Sequence, residues 1–314
     1  MTMTGRERMP LVECVPNFSE GRRKEVIEAI VAAIDSAPVH LLDVSSDADH
    51  NRTVVTFAGE PQAVLEGAFR GALRAAALID LSAHTGVHPR IGAVDVIPFV
   101  PLRDISLSAC AELARALGQR VGEELGIPVY LYEAAATRPE RVNLAEVRRG
   151  GYEGLRDMIE TDPSRAPDFG PSRIGTAGAV AIGARAPLIA FNVYLDTTEV
   201  QIAQAVALAI RASGGGLPYV KALGLLVDGQ AQVSINVIDF RRTSLFTIME
   251  AVRAAAAQHG VRPVRSEIVG LIPRAALLDY AIASLMLPPE ARGLVLEDRI
   301  GAAVGDYREL EFNG

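Results

Sequence analysis

One order of hydrophobic segments occurs twice in this chain of 314 residues, and it limits the fold more than any other feature. In the first copy the alternating segment Leu11-Val-Glu-Cys-Val15 reads as a half-buried strand, stopped by Pro16. Ile27, Ile30, Val31 and Ile34 follow at the i, i+3, i+4, i+7 spacing of an amphipathic helix. Residues 40–44 and 52–57 read as strands, the second rich in β-branched side chains, with a polar loop over 45–50 between them. Pro61 suits a helix start, and Leu65, Ala68, Phe69, Ala72, Leu73 and Ala76 mark its apolar stripe. A strand over 93–100 completes the copy; a helix over 106–125 and a strand over 129–132 come after it.

The second copy repeats this. Residues 188–195 read as a strand, and Ile202, Ala205, Val206 and Ala209 as a helix ending near Gly214. Strands over 220–227 and 231–239 flank Asp228-Gly229, a dipeptide that suits the positive φ angles of a type I′ hairpin turn. Leu245, Ile248, Met249 and Val252 mark the next helix, and 266–271 the last strand. Each copy is therefore strand–helix–strand–strand–helix–strand, the ferredoxin-like split βαβ order. The expected fold class is α+β: two tandem ferredoxin-like (βαββαβ) subdomains, residues 1–184 and 185–314, with a ligand cleft between them. Residues 138–185, rich in Gly, Pro and charge and weak in periodicity, read as the joint.

Composition removes several function classes. With 49% hydrophobic and 22% charged residues the chain can build substantial cores, which argues against wholesale disorder. No stretch has the uncharged apolar length of a membrane helix, and the first ten residues, MTMTGRERMP, precede no apolar signal core, so neither membrane insertion nor secretion is expected. Cys14 and Cys110 lie far apart inside apolar patterns; a disulfide framework is not expected, and the cytoplasm is the expected compartment. A net charge of −7, no Lys/Arg block and no Trp argue against a nucleic-acid partner and for a small molecule.

Chemistry concentrates in His84-Thr-Gly-Val-His88-Pro-Arg-Ile-Gly-Ala-Val-Asp95-Val-Ile-Pro-Phe99, which holds two of the five histidines. On a helix, His84 and His88 would meet one metal ion, as in H-E-x-x-H zinc hydrolases. Thr85 stands where that motif has its Glu, Gly86 and Pro89 oppose a helix, and no third ligand follows at a recognisable spacing; no metal is expected. Proline disfavours the α conformation in the residue before it, so His88 is expected on a loop entering a strand, where an imidazole is either a hydrogen-bonded structural side chain or, titrating near neutrality, a general base.

Three further segments carry both an ordinary and a functional reading. The turn Asn17-Phe-Ser-Glu-Gly21 is helix-capping material or a substrate loop. The segment from Asp43 to Arg52 holds Asp43, Asp47 and Asp49 but lacks the Gly and terminal Glu of an EF-hand; it is a solvated loop, or a site in which Arg52 clamps a carboxylate. The loop from Asp168 to Gly178 is glycine-rich without P-loop or Rossmann spacing; it is a connector, or a backbone able to approach a flat ligand closely.

Taken together these segments resemble the formiminotransferases (glutamate formimidoyltransferases), including the N-terminal part of formiminotransferase-cyclodeaminase. The resemblance rests on Leu11-Val-Glu-Cys-Val-Pro-Asn-Phe-Ser-Glu-Gly21, Asn51-Arg-Thr-Val, the His84–Phe99 stretch, Val129-Tyr-Leu-Tyr132, Ala166-Pro-Asp-Phe-Gly-Pro-Ser172, Leu188-Ile-Ala-Phe-Asn192 and Ala231-Gln-Val-Ser234. It implies transfer of a formimidoyl group between N-formimidoyl-L-glutamate and N5 of tetrahydrofolate, in histidine degradation, with tetrahydrofolate as co-substrate. It implies a cleft in the form of a tunnel between the two subdomains, and His88 as the catalytic base. The implied folate loop is Gly170, Pro171, Ser172, Arg173, Ile174, Gly175, Thr176, Ala177 and Gly178, and the implied substrate residues are Asn17, Asp43, Asp47, Arg52, His84 and Arg90. It further implies a stand-alone transferase, since the chain stops where a cyclodeaminase part would begin. The chain departs from the family in having Ser45 where the bifunctional enzyme has an acidic residue, with Asp47 and Asp49 farther along, and in a 170–178 loop one residue shorter.

The chemistry suits these residues. An amine attacks an amidine carbon, one nitrogen loses a proton and the other gains one, and a single histidine can serve both steps. Asp43, Asp47 or Asp95 can stabilise the cationic formimidoyl group, and Arg52, Arg90 or Arg173 the glutamate carboxylates. The readings weighed against it are an N-formylglutamate donor on the same scaffold, a non-catalytic folate or amino-acid sensor, and, more distantly, a zinc hydrolase. Oligomeric state is left open, a homodimer included.

Overall fold

A computed structural model describes residues 9–86 and 89–304 and divides the chain into two units, Met1–Pro187 and Leu188–Gly314. In the first unit the opening segment forms β1 (Leu11–Cys14) and β2 (Asn17–Phe18), two pieces of one strand position interrupted at Val15-Pro16. Then come α1 (Lys24–Asp35), β3 (His40–Asp47), β4 (Arg52–Gly59), α2 (Pro61–Leu78), β5 (Val94–Arg103) and α3 (Leu107–Arg120). The unit is completed by β6 (Val129–Glu133), α4 (Leu144–Val147), α5 (Gly151–Met158) and β7 (Val180–Ala184). Across the sheet the order is β3, β4, the β1/β2 position, β5, β7, β6; pairing is antiparallel except that β7 runs parallel to both β5 and β6.

The second unit contains β8 (Ile189–Leu195), α6 (Val200–Ile210), β9 (Val220–Val227), β10 (Gln230–Val237), α7 (Leu245–Ala257), β11 (Pro263–Val269), α8 (Arg274–Ser284) and α9 (Leu296–Val304). Its antiparallel sheet has the order β11-β8-β10-β9. Asp228 and Gly229 both take positive φ in the β9–β10 turn, as the dipeptide predicted. The strands of the repeated order are arranged alike in the two units: fourth, first, third, second.

One face of the first sheet carries the main core. Val26, Ile30 and Ile34 of α1, Val64 and Ala68 of α2 and Leu117 of α3 join Val12, Cys14, Phe18, Val55, Phe57 and Phe99 from the strands. Each large apolar side chain buried there contributes about 1.5–3 kcal/mol. The opposite face of β5, β7 and β6 holds a smaller cluster in which Val96, Tyr130 and Tyr132 meet Val147, Leu155 and Ile159 from the α4–α5 region. Both cysteines are buried free thiols. No described helix is long and apolar enough to cross a membrane.

Three expectations need correction. Residues 138–185 are not a joint between the units: α4, α5 and β7 place them inside the first. Strand β3 does not end at 44, because Ser45, Ser46 and Asp47 pair with Val54, Thr53 and Arg52; cross-strand pairing overrides their loop-like composition. The helix expected over 106–125 ends as α3 at Arg120 and continues as one π turn over Val121–Leu125, closed by Gly126 at positive φ.

Candidate functional site

Three pieces distant in sequence meet at a recess in the first unit lined by Phe18, Ser19, His50, Asn51, Arg52, His84, Arg90 and Asp95. They are the turn after β2, the turn between β3 and β4, and the stretch leading into β5. Asn51 is the hub. It sits in the left-handed region at φ 48°, which asparagine tolerates better than most residues, and it is buried. Its Oδ1 accepts from Gly21 N at 2.8 Å, its Nδ2 donates to the Thr85 carbonyl at 2.9 Å, and its own carbonyl lies 3.2 Å from Nε2 of His84. Gly21 must be glycine: a Cβ there would stand 2.1 Å from the Asp47 carbonyl oxygen.

The turn after β2 does not cap α1 as its composition suggested. The N-cap position is Arg23, without a side-chain cap. Ser19 instead donates its hydroxyl to the Gly92 carbonyl at 2.7 Å, tying the turn to the entry of β5. Glu20 is buried, which by itself opposes ionisation. Its Oε1 accepts from the amides of Arg23 and Arg22, both at 2.9 Å, and with the Arg23 guanidinium these hold its carboxyl below the usual range.

The recess is crowded with ionic groups. Asp95, 2% exposed, accepts from the Ile91 amide at 2.9 Å and pairs with the Arg148 guanidinium. Arg90 donates to the His84 carbonyl at 3.1 Å and to Glu153 at 2.9 Å, while Nε of both Arg90 and Arg148 is buried without a partner. Desolvation and the neighbouring Arg148 pull the pKa of Arg52 down to about 10, offset in part by Asp95 and Asp47; it remains a cation at neutral pH. Burial lowers the pKa of His84, opposed by its bond to the Asn51 carbonyl and reinforced by Arg90, so the ring is neutral near pH 7. With Nε2 donating to that carbonyl, the lone pair lies on Nδ1, which is buried and unpartnered.

The structure thus gathers Arg52, His84, Arg90 and Asp95. Asn17, Asp43 and Asp47 do not line the recess, yet register puts them on its side of the sheet. Asn17 pairs with Val54, Asp43 with Thr56 and Asp47 with Arg52, and directly paired residues share a face, here the one opposite α1 and α2. Ser45, paired with Val54, shares it too. Asp47 is engaged by His50, which donates its amide at 2.7 Å and has Nδ1 3.1 Å from Oδ2; against the burial that opposes ionisation, these bonds hold the Asp47 carboxyl below its ordinary range. His88 lies outside the described residues.

The 170–178 loop is anchored beside the same stretch. Leu81 N donates to the Thr176 carbonyl and Ala93 N to the Ala177 carbonyl, both at 2.8 Å. Gly178, at φ 71°, would bring a Cβ within 2.3 Å of the Ile91 carbonyl oxygen. Within the loop Ser172, Arg173, Gly175 and Thr176 are exposed, and Pro171, Ile174 and Ala177 half-buried. Asp168 is structural: buried against Arg141 at 2.6 Å, it also accepts from Leu131 N at 2.8 Å. Arg148 and Glu153 were not legible in sequence, because they come from the α4–α5 region, 53 and 63 residues from their partners. Among the described residues no three His, Cys, Asp or Glu side chains are grouped as metal ligands.

The fold is α+β, and in its first unit one histidine is gathered with several ionic side chains. The chain belongs to the formiminotransferase family: the profile of the formiminotransferase domain's N-terminal subdomain matches residues 11–185, and that of the formiminotransferase domain matches residues 190–299. It is 49% identical over 300 residues to the glutamate formimidoyltransferase of Thermoplasma acidophilum, covering 94% of this chain and 99% of that one. It is 48% identical over 276 residues to the glutamate formimidoyltransferase of Streptococcus pyogenes, covering 86% and 92%. With the formimidoyltransferase-cyclodeaminase of Mus musculus it shares 47% over 281 residues, 86% of this chain but 52% of that one.

Proposed function

We propose that this chain is a glutamate formimidoyltransferase, moving a formimidoyl group between N-formimidoyl-L-glutamate and N5 of tetrahydrofolate in histidine degradation. The observation that carries the reading is the identity, near 48–49%, to relatives of that name that this chain matches over most of their length, and the side chains gathered in the first unit agree with it. Arg52 and Arg90 flank a neutral His84 and a buried Asp95, next to the anchored 170–178 loop, in a chain with near-full-length relatives of that name.

In the forward direction N5 attacks the formimidoyl carbon and a C–N5 bond forms. N5 loses a proton, the glutamate nitrogen gains one, and the bond from that nitrogen to the carbon breaks. His88 takes the first proton and delivers the second, a role worth about 10²–10⁴-fold in rate. His84, held neutral with its Nδ1 lone pair free, orients a substrate N–H. Arg52 and Arg90 hold glutamate carboxylates, with Asp95 and Arg148 fixing the turn that presents Arg90. Asn17, Asp43 and Asp47, on the same sheet face, stabilise the cationic group. The loop from Ser172 to Thr176 receives the folate.

The sheet order fourth-first-third-second in both units supports the finer reading of tandem ferredoxin-like subdomains, the first extended by β6 and β7. The test is a turnover assay with tetrahydrofolate and either N-formimidoyl- or N-formyl-L-glutamate. Transfer from the formimidoyl donor is expected; faster transfer from the formyl donor would replace this reading with the formyltransferase, and binding without product with a sensor.

A further inference from the structure

One ionisable side chain lining the recess has no part in the chemistry proposed above: His50, in the turn between β3 and β4. Its surroundings within the first unit fix its orientation. The His50 amide donates to Asp47 Oδ1 at 2.7 Å, and the ring Nδ1 lies 3.1 Å from Asp47 Oδ2, so one residue takes both oxygens of one carboxylate. Burial opposes ionisation of Asp47, but these bonds outweigh it and keep the carboxylate charged at neutral pH. A carboxylate cannot donate, so Nδ1 of His50 carries a proton, and in the neutral ring the lone pair is on Nε2. The imidazole is 13% exposed, while Asp47 does not line the recess; the ring therefore faces the recess and the carboxylate stands behind it.

His84 is the counterpart. The carbonyl of Asn51, the residue after His50, holds Nε2 of His84 and leaves the lone pair on Nδ1. Two imidazoles of opposite tautomer, each fixed through its other nitrogen by a protein acceptor, thus line one recess with the cations Arg52 and Arg90. A ligand that suits both kinds of group has carboxylates at one part and N–H groups at another. The formimidoyl donor and its formyl counterpart share their carboxylates and differ at one terminal atom. The first has an NH2 of a cationic amidine there, the second a carbonyl oxygen. A fixed lone pair accepts from the NH2 and repels the oxygen, and a site that leaves polar groups unpaired discriminates strongly.

We propose that His50 selects a formimidoyl over a formyl donor by accepting an N–H of the terminal NH2 at its Nε2, with Asp47 as the positioning residue that fixes the ring. The inference rests on the function proposed above and adds the residue that sets its donor specificity.

The test is calorimetric titration of the full chain, wild type, His50→Leu and Asp47→Asn, with N-formimidoyl-L-glutamate and N-formyl-L-glutamate separately, alongside melting curves. His50→Leu is expected to weaken the formimidoyl donor about 10- to 100-fold and the formyl donor less than about twofold. Asp47→Asn preserves the shape of the side chain. Its Oδ1 can still accept the His50 amide, while its NH2 meets Nδ1, moves the ring proton to Nε2 and turns the acceptor into a donor. This variant is expected to lose the preference for the formimidoyl donor, and it decides the matter should His50→Leu fail to fold. An unchanged ratio of the two affinities, equal weakening of both donors, or a greater loss for the formyl donor overturns the proposal; the last would show a ring that donates. Failure of the functional reading is seen separately, as wild-type protein that binds the donors but transfers nothing to tetrahydrofolate. Wild type that binds neither donor overturns both.

Discussion

The backbone carbonyl of Asn51 lies 3.2 Å from Nε2 of His84, and this contact sets the tautomer of the imidazole. The proton is on Nε2 and the lone pair on the buried Nδ1. Asn51 is held in turn by Gly21 and Thr85, so the ring inherits its orientation from a turn 33 residues away.

A stability consequence follows from the direction of the His84 shift. Burial lowers its folded pKa below the ordinary 6.5, so the unfolded chain takes up the proton first. Its contribution is complete above about pH 6.5 and is lost as pH falls through the lower folded value. Urea midpoints of wild type and His84→Gln between pH 7.5 and 5 are expected to converge as the solution is acidified. A constant difference would show that His84 is not neutral in the folded protein.

His88→Ala is expected to lower turnover by about 10²–10⁴-fold while leaving the circular dichroism spectrum and melting temperature intact. His84→Ala should cost less in kcat and more in KM for N-formimidoyl-L-glutamate. The reverse ranking would move the base to His84, whose unpartnered Nδ1 has the required lone pair.

The Asp95–Arg148 pair is nearly dry, with side chains 3% and 17% exposed. Asp95→Asn keeps an acceptor for the Ile91 amide but strands the guanidinium, and should cost about 3 kcal/mol in chemical denaturation. Arg148→Met should cost a similar amount by stranding the carboxylate. The double variant is expected to lose much less than the sum, since residues in one ion pair do not add. Strict additivity would mean the two groups do not interact in solution.

Gly178→Ala and Gly175→Ala separate anchoring from composition in the 170–178 loop. The first puts a Cβ 2.3 Å from the Ile91 carbonyl oxygen at a positive φ; the second meets nothing within 4 Å. The strained variant is expected to lose about 1–3 kcal/mol and raise KM for tetrahydrofolate, and the other to stay close to wild type in stability. Equal KM values for the two variants would detach the loop from folate binding.

The repeated strand–helix–strand–strand–helix–strand order was legible because each element advertises itself locally. The stripe of Ile30 and Ile34 has helical period, Val12 and Cys14 have strand period, and Asp228-Gly229 suits one kind of turn. Strand β7 escaped notice because Val180–Ala184 is buried throughout and shows no alternation, and α4 because four residues are too few to display a period. The motif residues Arg52, His84, Arg90 and Asp95 were legible as chemistry, but not as neighbours.

By itself the sequence determined the elements of the repeated order, their duplication and the family, because periodicity, turn chemistry and motif text are properties of adjacent residues. Only the tertiary structure decided which polar groups share a site. Register turned Asn17, Asp43, Ser45 and Asp47 to the face opposite α1 and α2, and packing of the α4–α5 region brought Arg148 to Asp95. The Asn51 carbonyl set the His84 tautomer. These are long-range relations, made by strand pairing and burial, and no local pattern encodes which distant partner a charge or a lone pair will meet.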